Sequence, residues 1–267
     1  MTAVDYRGQI TLITGASAGI GAEFARRLAA RGSGLVLVAR RRERLEELAA
    51  ELRAQHRIQV HVVDMDLATD SPGQALALRV ERLGLHVTSV INNAGFASFG
   101  AFHQADPVRL RQEIAVDVTA VADISRAFIE QLRTAGRGVL VNVASMAAYQ
   151  PNPRMAVYGA AKAFVLSLTE ALWEESRGTG LRVLALSPGA TRTEFFDVVG
   201  TTRAAGGTRL ASPVDVVDTA LAALDRRNPP PSVIVGRMNR VMAALARRLA
   251  TRRQIIRAIG RLTAEGA

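Results

Sequence analysis

Cysteine is absent from the 267 residues, and lysine occurs once, at position 162, so that every other basic side chain is arginine. The first absence excludes a disulfide framework and a thiolate metal site, and it is compatible with a reducing compartment. No metal site is expected. Aromatic residues make up only 4% of the chain. The amino-terminal run MTAVDYRGQITLITGASAG sets an acid and polar residues before a short apolar segment. Neither a signal peptide nor a membrane span is therefore expected there, and the protein is read as soluble and cytoplasmic.

Charge is the one marked excess. The formal net charge is +10, from 34 basic and 24 acidic residues, and most of it lies in the last segment. Residues 237–267 hold Arg237, Arg240, Arg247, Arg248, Arg252, Arg253, Arg257 and Arg261 against Glu265 alone. Such a balance favours anionic ligands or surfaces without identifying one. Charge is not itself a recognition motif, and no reader fold or aromatic platform accompanies it, so nucleic acid is not an expected partner.

Strand and helix signals alternate along the rest of the chain. Strands are predicted at Gln9–Thr14, Leu35–Ala39, Val60–Val63, Thr88–Ile91, Gly138–Val143, Arg182–Ser187 and Ser232–Val235. Between them fall helical patterns, among them Pro72–Leu83, one long helix over Pro107–Thr134, Met155–Arg177 and Pro213–Leu224. Alternation of this kind argues an α/β fold, a Rossmann-like, doubly wound, seven-stranded parallel sheet flanked by helices. We expect one domain, with residues 1–236 binding a dinucleotide and carrying the catalytic groups, and residues 237–267 forming a basic amphipathic helical extension of it. No internal linker or repeat interrupts the pattern.

The first strand breaks into TGASAGIG, where Gly15, Gly19 and Gly21 give a GxxxGxG turn before a helix. Glycines at that place let backbone amides approach a pyrophosphate, and the helix amino terminus adds partial positive charge. The second strand ends at Arg40 instead of the carboxylate that would bind a ribose 2′-hydroxyl. A guanidinium suits a 2′-phosphate, which favours NADP(H) over NAD(H).

Tyr158 and Lys162 stand four apart and so share one helix face. A phenol ordinarily titrates near ~10, and a neighbouring cation stabilises its phenolate and brings proton exchange into range. Ser145, at the end of a strand-like run, supplies a hydroxyl able to fix a substrate oxygen.

Taken in order, Thr14 to Gly21, Asn92-Asn93-Ala94-Gly95, Ser145 thirteen residues before Tyr158, Tyr158-Gly-Ala-Ala-Lys162, and Pro188-Gly189 with Thr193 resemble the motif set of the short-chain dehydrogenase/reductase family. The resemblance covers nearly all of residues 9–195. It implies that Gly15, Ser17, Ala18, Gly19, Ile20 and Gly21 cradle the dinucleotide, and that Asp66 contacts the adenine edge. Asn93, Ala94 and Gly95 would line the ribose side, while Pro188, Gly189 and Thr193 would border the nicotinamide. Tyr158 would be the general acid or base, Lys162 would lower its pKa and hold the nicotinamide ribose, and Ser145 would bind the carbonyl oxygen. A homodimer or homotetramer is likewise implied by the resemblance. One position departs from it: the long helix reads Asp117-Val118-Thr119-Ala120, where the family carries an asparagine that helps hold a water relay to the lysine. An ionised Asp117 would stabilise the ammonium and reduce its pull on the phenol, shifting the pH optimum.

Around the site the loops contribute Phe96, Phe99, Met146, Tyr149, Met155, Phe195 and Phe196, with no clear carboxylate-binding arginine. That composition suits a lipophilic ketone. Residues 197–211 combine glycines and small polar residues in the manner of a lid. In the tail, apolar residues from Met238 to Leu262 recur at helical spacing between arginines, which predicts two basic amphipathic helices. They would cover the cleft, pack on another subunit, or make peripheral contact with an anionic membrane. The expected activity is an NADPH-dependent reduction of a small-molecule ketone, reversible as alcohol oxidation. The alternatives are a 3-oxoacyl-thioester reductase of fatty-acid or polyketide type and a catalytically weak NADP(H)-binding regulatory protein.

Overall fold

A computed structural model describes residues 3–205, 210–249 and 251–264, with the side chains of 244 and 246–249 left aside. Seven strands form one parallel sheet in the order β3-β2-β1-β4-β5-β6-β7. They are β1 (Ile10–Thr14), β2 (Gly34–Ala39), β3 (Val60–Asp64), β4 (Ser89–Asn92), β5 (Val139–Val143), β6 (Arg182–Ser187) and β7 (Ser232–Ile234). The order reverses direction at β1, whose neighbours are β2 and β4. Outside the carboxyl ends of such strands a doubly wound sheet opens a crevice for ligands.

The strands are apolar on both faces because both are covered. One face carries α1 (Gly19–Ala30), α2 (Arg42–His56) and, farther along the chain, the helix over Pro213–Leu224. Phe24, Leu28, Leu45 and Leu52 are fully buried there against Ile13, Leu35 and Leu37. On the opposite face α3 (Pro72–Arg82) and the long helical region after β4 bury Leu76, Ile124, Phe128 and Leu132 against Leu12, Val36 and Val90. Removing a leucine side chain from water contributes about 2 kcal/mol, so each face is held by many such increments.

A buried polar chain fixes the sheet to the helices that carry the site. The Asn92 side-chain Nδ2 donates to Asn142 Oδ1 at 2.9 Å and to Ser125 Oγ at 3.1 Å. Asn142 donates in turn to Thr169 Oγ1 at 2.9 Å. Hydrogen bonds of this kind are costly to leave unmade in the interior, so β4, β5 and the helix bearing Thr169 have little freedom to slide.

The predicted long helix is continuous but not uniform. It runs as α4 (Pro107–Ile114), a π-helical turn over Ala115–Thr119, and α5 (Ala120–Ala135). Asp106 caps its start by accepting from the Val108 amide at 2.9 Å. A π turn widens the helix locally and re-aims the side chains within it, and here it holds Asp117. Next come α6 (Ala156–Glu175), α7 (Phe195–Val199) and α8 (Pro213–Leu224). Finally α9 (Arg237–Leu249) and α10 (Arg252–Leu262) form the expected pair of tail helices. The segment read as a lid contains the end of α7 and a 3-10 turn over Thr202–Ala205, and its residues 206–209 lie outside the described residues. Among the described residues no helix is long and apolar enough to cross a membrane.

Candidate active site

The glycine turn leaves β1 at the point where the strand order reverses. Gly15 takes φ +65°, and a Cβ there would lie 2.7 Å from the Asn93 amide nitrogen and 2.9 Å from Ala94 Cα. Only glycine fits both the left-handed backbone and that approach. The turn is tied down from the next strand: the Asn93 side chain donates to the Thr14 carbonyl at 3.0 Å, and the amides of Asn93 and Ala94 both donate to Thr14 Oγ1. Ala18 caps α1 with no side-chain hydrogen bond, so the first amides of α1 retain donors for a ligand.

Gly15, Ser17, Ala18, Gly19 and Ile20 all line one large cavity of about 970 Å³. Gly21 does not. It is buried behind the turn, where a Cβ would meet the Gly15 carbonyl oxygen at 2.4 Å, so it allows close packing of helix on strand. Arg40 and Asp66 line the cavity's far end, as do Asn93, Ala94 and Gly95 along one wall and Pro188, Gly189 and Thr193 along the other. Arg40 is exposed and forms no ion pair among the described residues. The Asp66 carboxylate accepts from the Ala68 amide at 3.0 Å, which steadies its own loop.

At the opposite end of the cavity Ser145, Tyr158, Lys162 and Asp117 come together. Ser145 ends the loop after β5 and caps a 3-10 turn, its Oγ accepting from the Ala147 amide at 3.1 Å. Tyr158 and Lys162 sit in the first turns of α6, with the ammonium 5.5 Å from the centre of the phenol ring. Lys162 is buried; its Nζ lies 2.7 Å from Asp117 Oδ1 and donates to the Val143 carbonyl at 3.2 Å. Attraction between the two charges and hydrogen bonding both tie Asp117 to the ammonium. Its Oδ2 accepts from the Phe96 amide at 3.0 Å. Gly95 makes room for this pair, since a Cβ there would stand 2.5 Å from Asp117 Oδ1.

The electrostatics differ from the simple expectation in one respect. The Tyr158 phenol is pushed above its ordinary value, not below it, because burial outweighs the pull of Lys162, and Asp117 and Glu113 add to the rise. Ser145, by hydrogen bonding, draws it part of the way back. For Lys162, burial works against the charge, but Asp117 and then Tyr158 outweigh it, so the ammonium is held more firmly than usual. Burial likewise pushes the Asp117 carboxyl up, with Lys162 and the Phe96 amide opposing.

Of the apolar residues expected around the site, Phe96, Met146, Met155, Phe195 and Phe196 line the main cavity. Phe99 lines a smaller adjoining pocket of about 390 Å³. Tyr149 lines neither, and its hydroxyl is 3.4 Å from Ser187 Oγ behind the loop. Phe195 packs on Tyr158 with ring centres 5.5 Å apart. The tail closes the cavity from above: Met242 and Ala243 of α9 and Ile255, Ile259 and Leu262 of α10 form part of its wall.

Arg109 and Glu113 escaped the sequence reading. Arg109 borders both cavities from α4, 5.1 Å from the Phe96 ring centre, with a guanidinium nitrogen donating to the Val198 carbonyl at 3.2 Å. It was hidden because its helix carries no motif. Glu113, one turn before Asp117, is completely buried, and neither carboxylate oxygen has a partner in hydrogen-bond geometry. A charged residue at an inward position of an otherwise amphipathic helix was its only signal.

A glycine turn at the strand reversal, an uncapped helix start and a serine, tyrosine and lysine at the far end of one cavity define a dinucleotide-binding fold with a proton-transfer site. A family model described as short chain dehydrogenase matches residues 9–204. The chain belongs to the short-chain dehydrogenase/reductase family, oxidoreductases of alcohol and carbonyl groups. It is 37% identical over 190 residues to sulfoacetaldehyde reductase 2 of Chromohalobacter salexigens, covering 70% of this chain and 74% of that protein. It is 30% identical over 236 residues to the 7beta-hydroxysteroid dehydrogenase of Collinsella aerofaciens, covering 87% and 88%. A short-chain dehydrogenase from Sphingobium yanoikuyae, solved in complex with NADPH, superposes with a TM-score of 0.78 at 34% identity, covering 90% of this chain and 93% of that one.

Proposed function

We propose that the protein is an NADP(H)-dependent carbonyl reductase, reversible as an alcohol dehydrogenase, acting on a bulky lipophilic ketone. The observation that carries this reading is the meeting of Ser145, Tyr158 and Lys162 at one end of a cavity whose other end offers a glycine turn and Arg40. The residues fit the cofactor. Gly15 leaves no room for a side chain, the first amides of α1 are uncapped, and Arg40 is free to meet a 2′-phosphate. The NADPH complex of the Sphingobium relative supports the same choice.

When bound, the nicotinamide supplies the hydride. The chain's own residues do the rest. Ser145 Oγ orients the carbonyl oxygen, and Tyr158 Oη gives that oxygen its proton in reduction or removes one from the alcohol in oxidation. Lys162, kept charged by Asp117, favours the phenolate left behind and would hold the nicotinamide ribose. Burial and Asp117 hold the phenol's pKa up, so Tyr158 stands protonated at neutral pH, and the pull of Lys162 opposes that rise and eases release of the proton.

Substrate size follows from the wall that the tail supplies. Met242, Ile255, Ile259 and Leu262 face the cavity together with Phe195 and Phe196. A hydroxysteroid, the substrate class named for the Collinsella relative, would cover that wall, whereas sulfoacetaldehyde would leave it bare. The test is NADPH and NADH oxidation against small aldehydes, acyl thioesters and steroidal ketones, with Tyr158→Phe as control. Turnover of a bulky ketone with NADPH that is lost in the variant is expected. A preference for the smallest aldehydes would overturn the substrate class, and equal activity of the variant would overturn the role of Tyr158.

A further inference from the structure

Arg41, next to Arg40, is already occupied. Its Nη2 donates to Ser17 Oγ in the glycine turn at 3.0 Å, and its Nη1 donates to Glu194 Oε2 at 2.6 Å. The other oxygen of the same carboxylate accepts from Arg44 in the first turn of α2. Ser17, Arg40, Arg41 and Glu194 all border the main cavity. Glu194 therefore reaches across the mouth from the opposite wall and sits where a second anion would meet Arg41.

The backbone that presents Glu194 is fixed on both sides. Thr193 packs so closely on Gly19 that a Cβ there would touch the threonine methyl at 2.8 Å, and Phe195 stacks on Tyr158. Among the described residues the carboxylate is held by the two guanidinium groups, and it remains 41% exposed. Its pKa is lowered by its hydrogen bonds to Arg41 and Arg44, so it carries its charge throughout the neutral range. A carboxylate and a phosphate offer a guanidinium the same paired oxygens, but the phosphate brings more charge. Exposed carboxylate pairs are individually weak, so exchange of one for the other requires only a side-chain movement.

We propose that Glu194 is a stand-in for the cofactor's 2′-phosphate: it holds Arg41 poised over the glycine turn, and the phosphate takes its place. Glu194 and Arg41 are then determinants of cofactor selectivity, Arg41 by binding the phosphate and Glu194 by competing with it. The inference rests on the NADP(H) reading and adds to it a residue that opposes binding.

Calorimetry on the full chain with 2′,5′-ADP and with ADP, for the wild type, Glu194→Gln, Arg41→Gln and the double variant, tests it. Glu194→Gln is expected to tighten 2′,5′-ADP about fivefold and to change ADP less than about twofold. Arg41→Gln is expected to weaken 2′,5′-ADP about tenfold, and in that background Glu194→Gln has almost no effect. Unchanged or weaker binding of 2′,5′-ADP by Glu194→Gln would overturn the proposal. So would a gain that persists without Arg41, since that would be long-range repulsion and not displacement. Failure of the wild type to prefer 2′,5′-ADP over ADP would instead remove the NADP(H) reading. Thermal unfolding of each variant checks that these exposed substitutions leave the fold intact.

Discussion

The cavity is bordered by two clusters of charge that are built from similar groups and behave differently. At the catalytic end Asp117 and Lys162 stand 2.7 Å apart with side chains 0% and 5% exposed. At the cofactor end Arg41 and Glu194 stand 2.6 Å apart with side chains 44% and 41% exposed. The distances are nearly equal, so the contrast lies in the surroundings. Buried, a pair cannot exchange partners for water, and each member sets the protonation of its neighbours. Exposed, a pair is screened and replaceable, which fits it to bind and release an anion. One cluster is suited to chemistry and the other to selection.

The sharpest way to break this comparison is to remove the group on which the buried cluster acts. Tyr158→Phe keeps the ring against Phe195 and deletes the acid. It should lower kcat by about a thousandfold while leaving cofactor affinity within about threefold, as measured by steady-state kinetics and nucleotide titration. A loss of less than tenfold would mean that another group supplies the proton.

Asp117→Asn addresses the buried pair itself. Asp117 helps raise the Tyr158 pKa, so its neutralisation should move the ascending limb of alcohol oxidation to lower pH. The sign is informative. Asp117 also favours the charged form of Lys162 against burial. A limb that moves upward would show that Lys162 loses its proton without Asp117, and that the aspartate's larger service is to the lysine. A profile identical to the wild type would remove Asp117 from the electrostatics altogether.

Much of this arrangement was legible in the sequence, and the exceptions share a cause. The seven strands, the glycine turn and the Ser145–Tyr158–Lys162 set were readable because periodicity and motif spacing are local properties of the chain. Asp117 was noticed as a departure, but the π turn that aims it at Lys162 was not, since nothing in AVDVT distinguishes it from ordinary helix. Tyr149 was placed in the pocket on its composition, whereas its hydroxyl turns toward β6. The direction of the Tyr158 shift was missed because burial is a property of the packed fold, and the lysine's pull was weighed without it. Glu194 went unseen for the same reason: its partners lie 150 and 153 residues away in the chain.

Glu113 extends the buried cluster by one helical turn and gives a smaller effect on stability. Burial raises its carboxyl pKa, with Ser98 opposing and Asp117 adding to the rise. A carboxyl whose folded pKa is raised favours the fold below its unfolded pKa, and that contribution is lost as pH climbs through the folded value. Glu113→Gln cannot ionise, so its melting temperature should exceed that of the wild type by about 2–4 °C at pH 8, with the gap closing toward pH 4–5. A gap that stays constant with pH would point to packing, not to ionisation.

Salt separates the two clusters without any substitution at the catalytic end, and the expected changes are the smallest. Raising ionic strength from about 0.05 to about 0.5 M shortens the screening length several-fold, to a few Å. At the exposed cluster the advantage of Glu194→Gln for 2′,5′-ADP should shrink from about fivefold to about twofold, because mobile ions then screen both the carboxylate and the incoming phosphate. The Lys162 and Asp117 side chains are only 5% and 0% exposed, so such ions screen their mutual attraction far less. The wild-type pH midpoint of alcohol oxidation should therefore move by less than about 0.2 units over the same range. If it moves by half a unit or more, solvent ions reach the lysine, and the division between a buried cluster for chemistry and an exposed one for selection fails at its catalytic end.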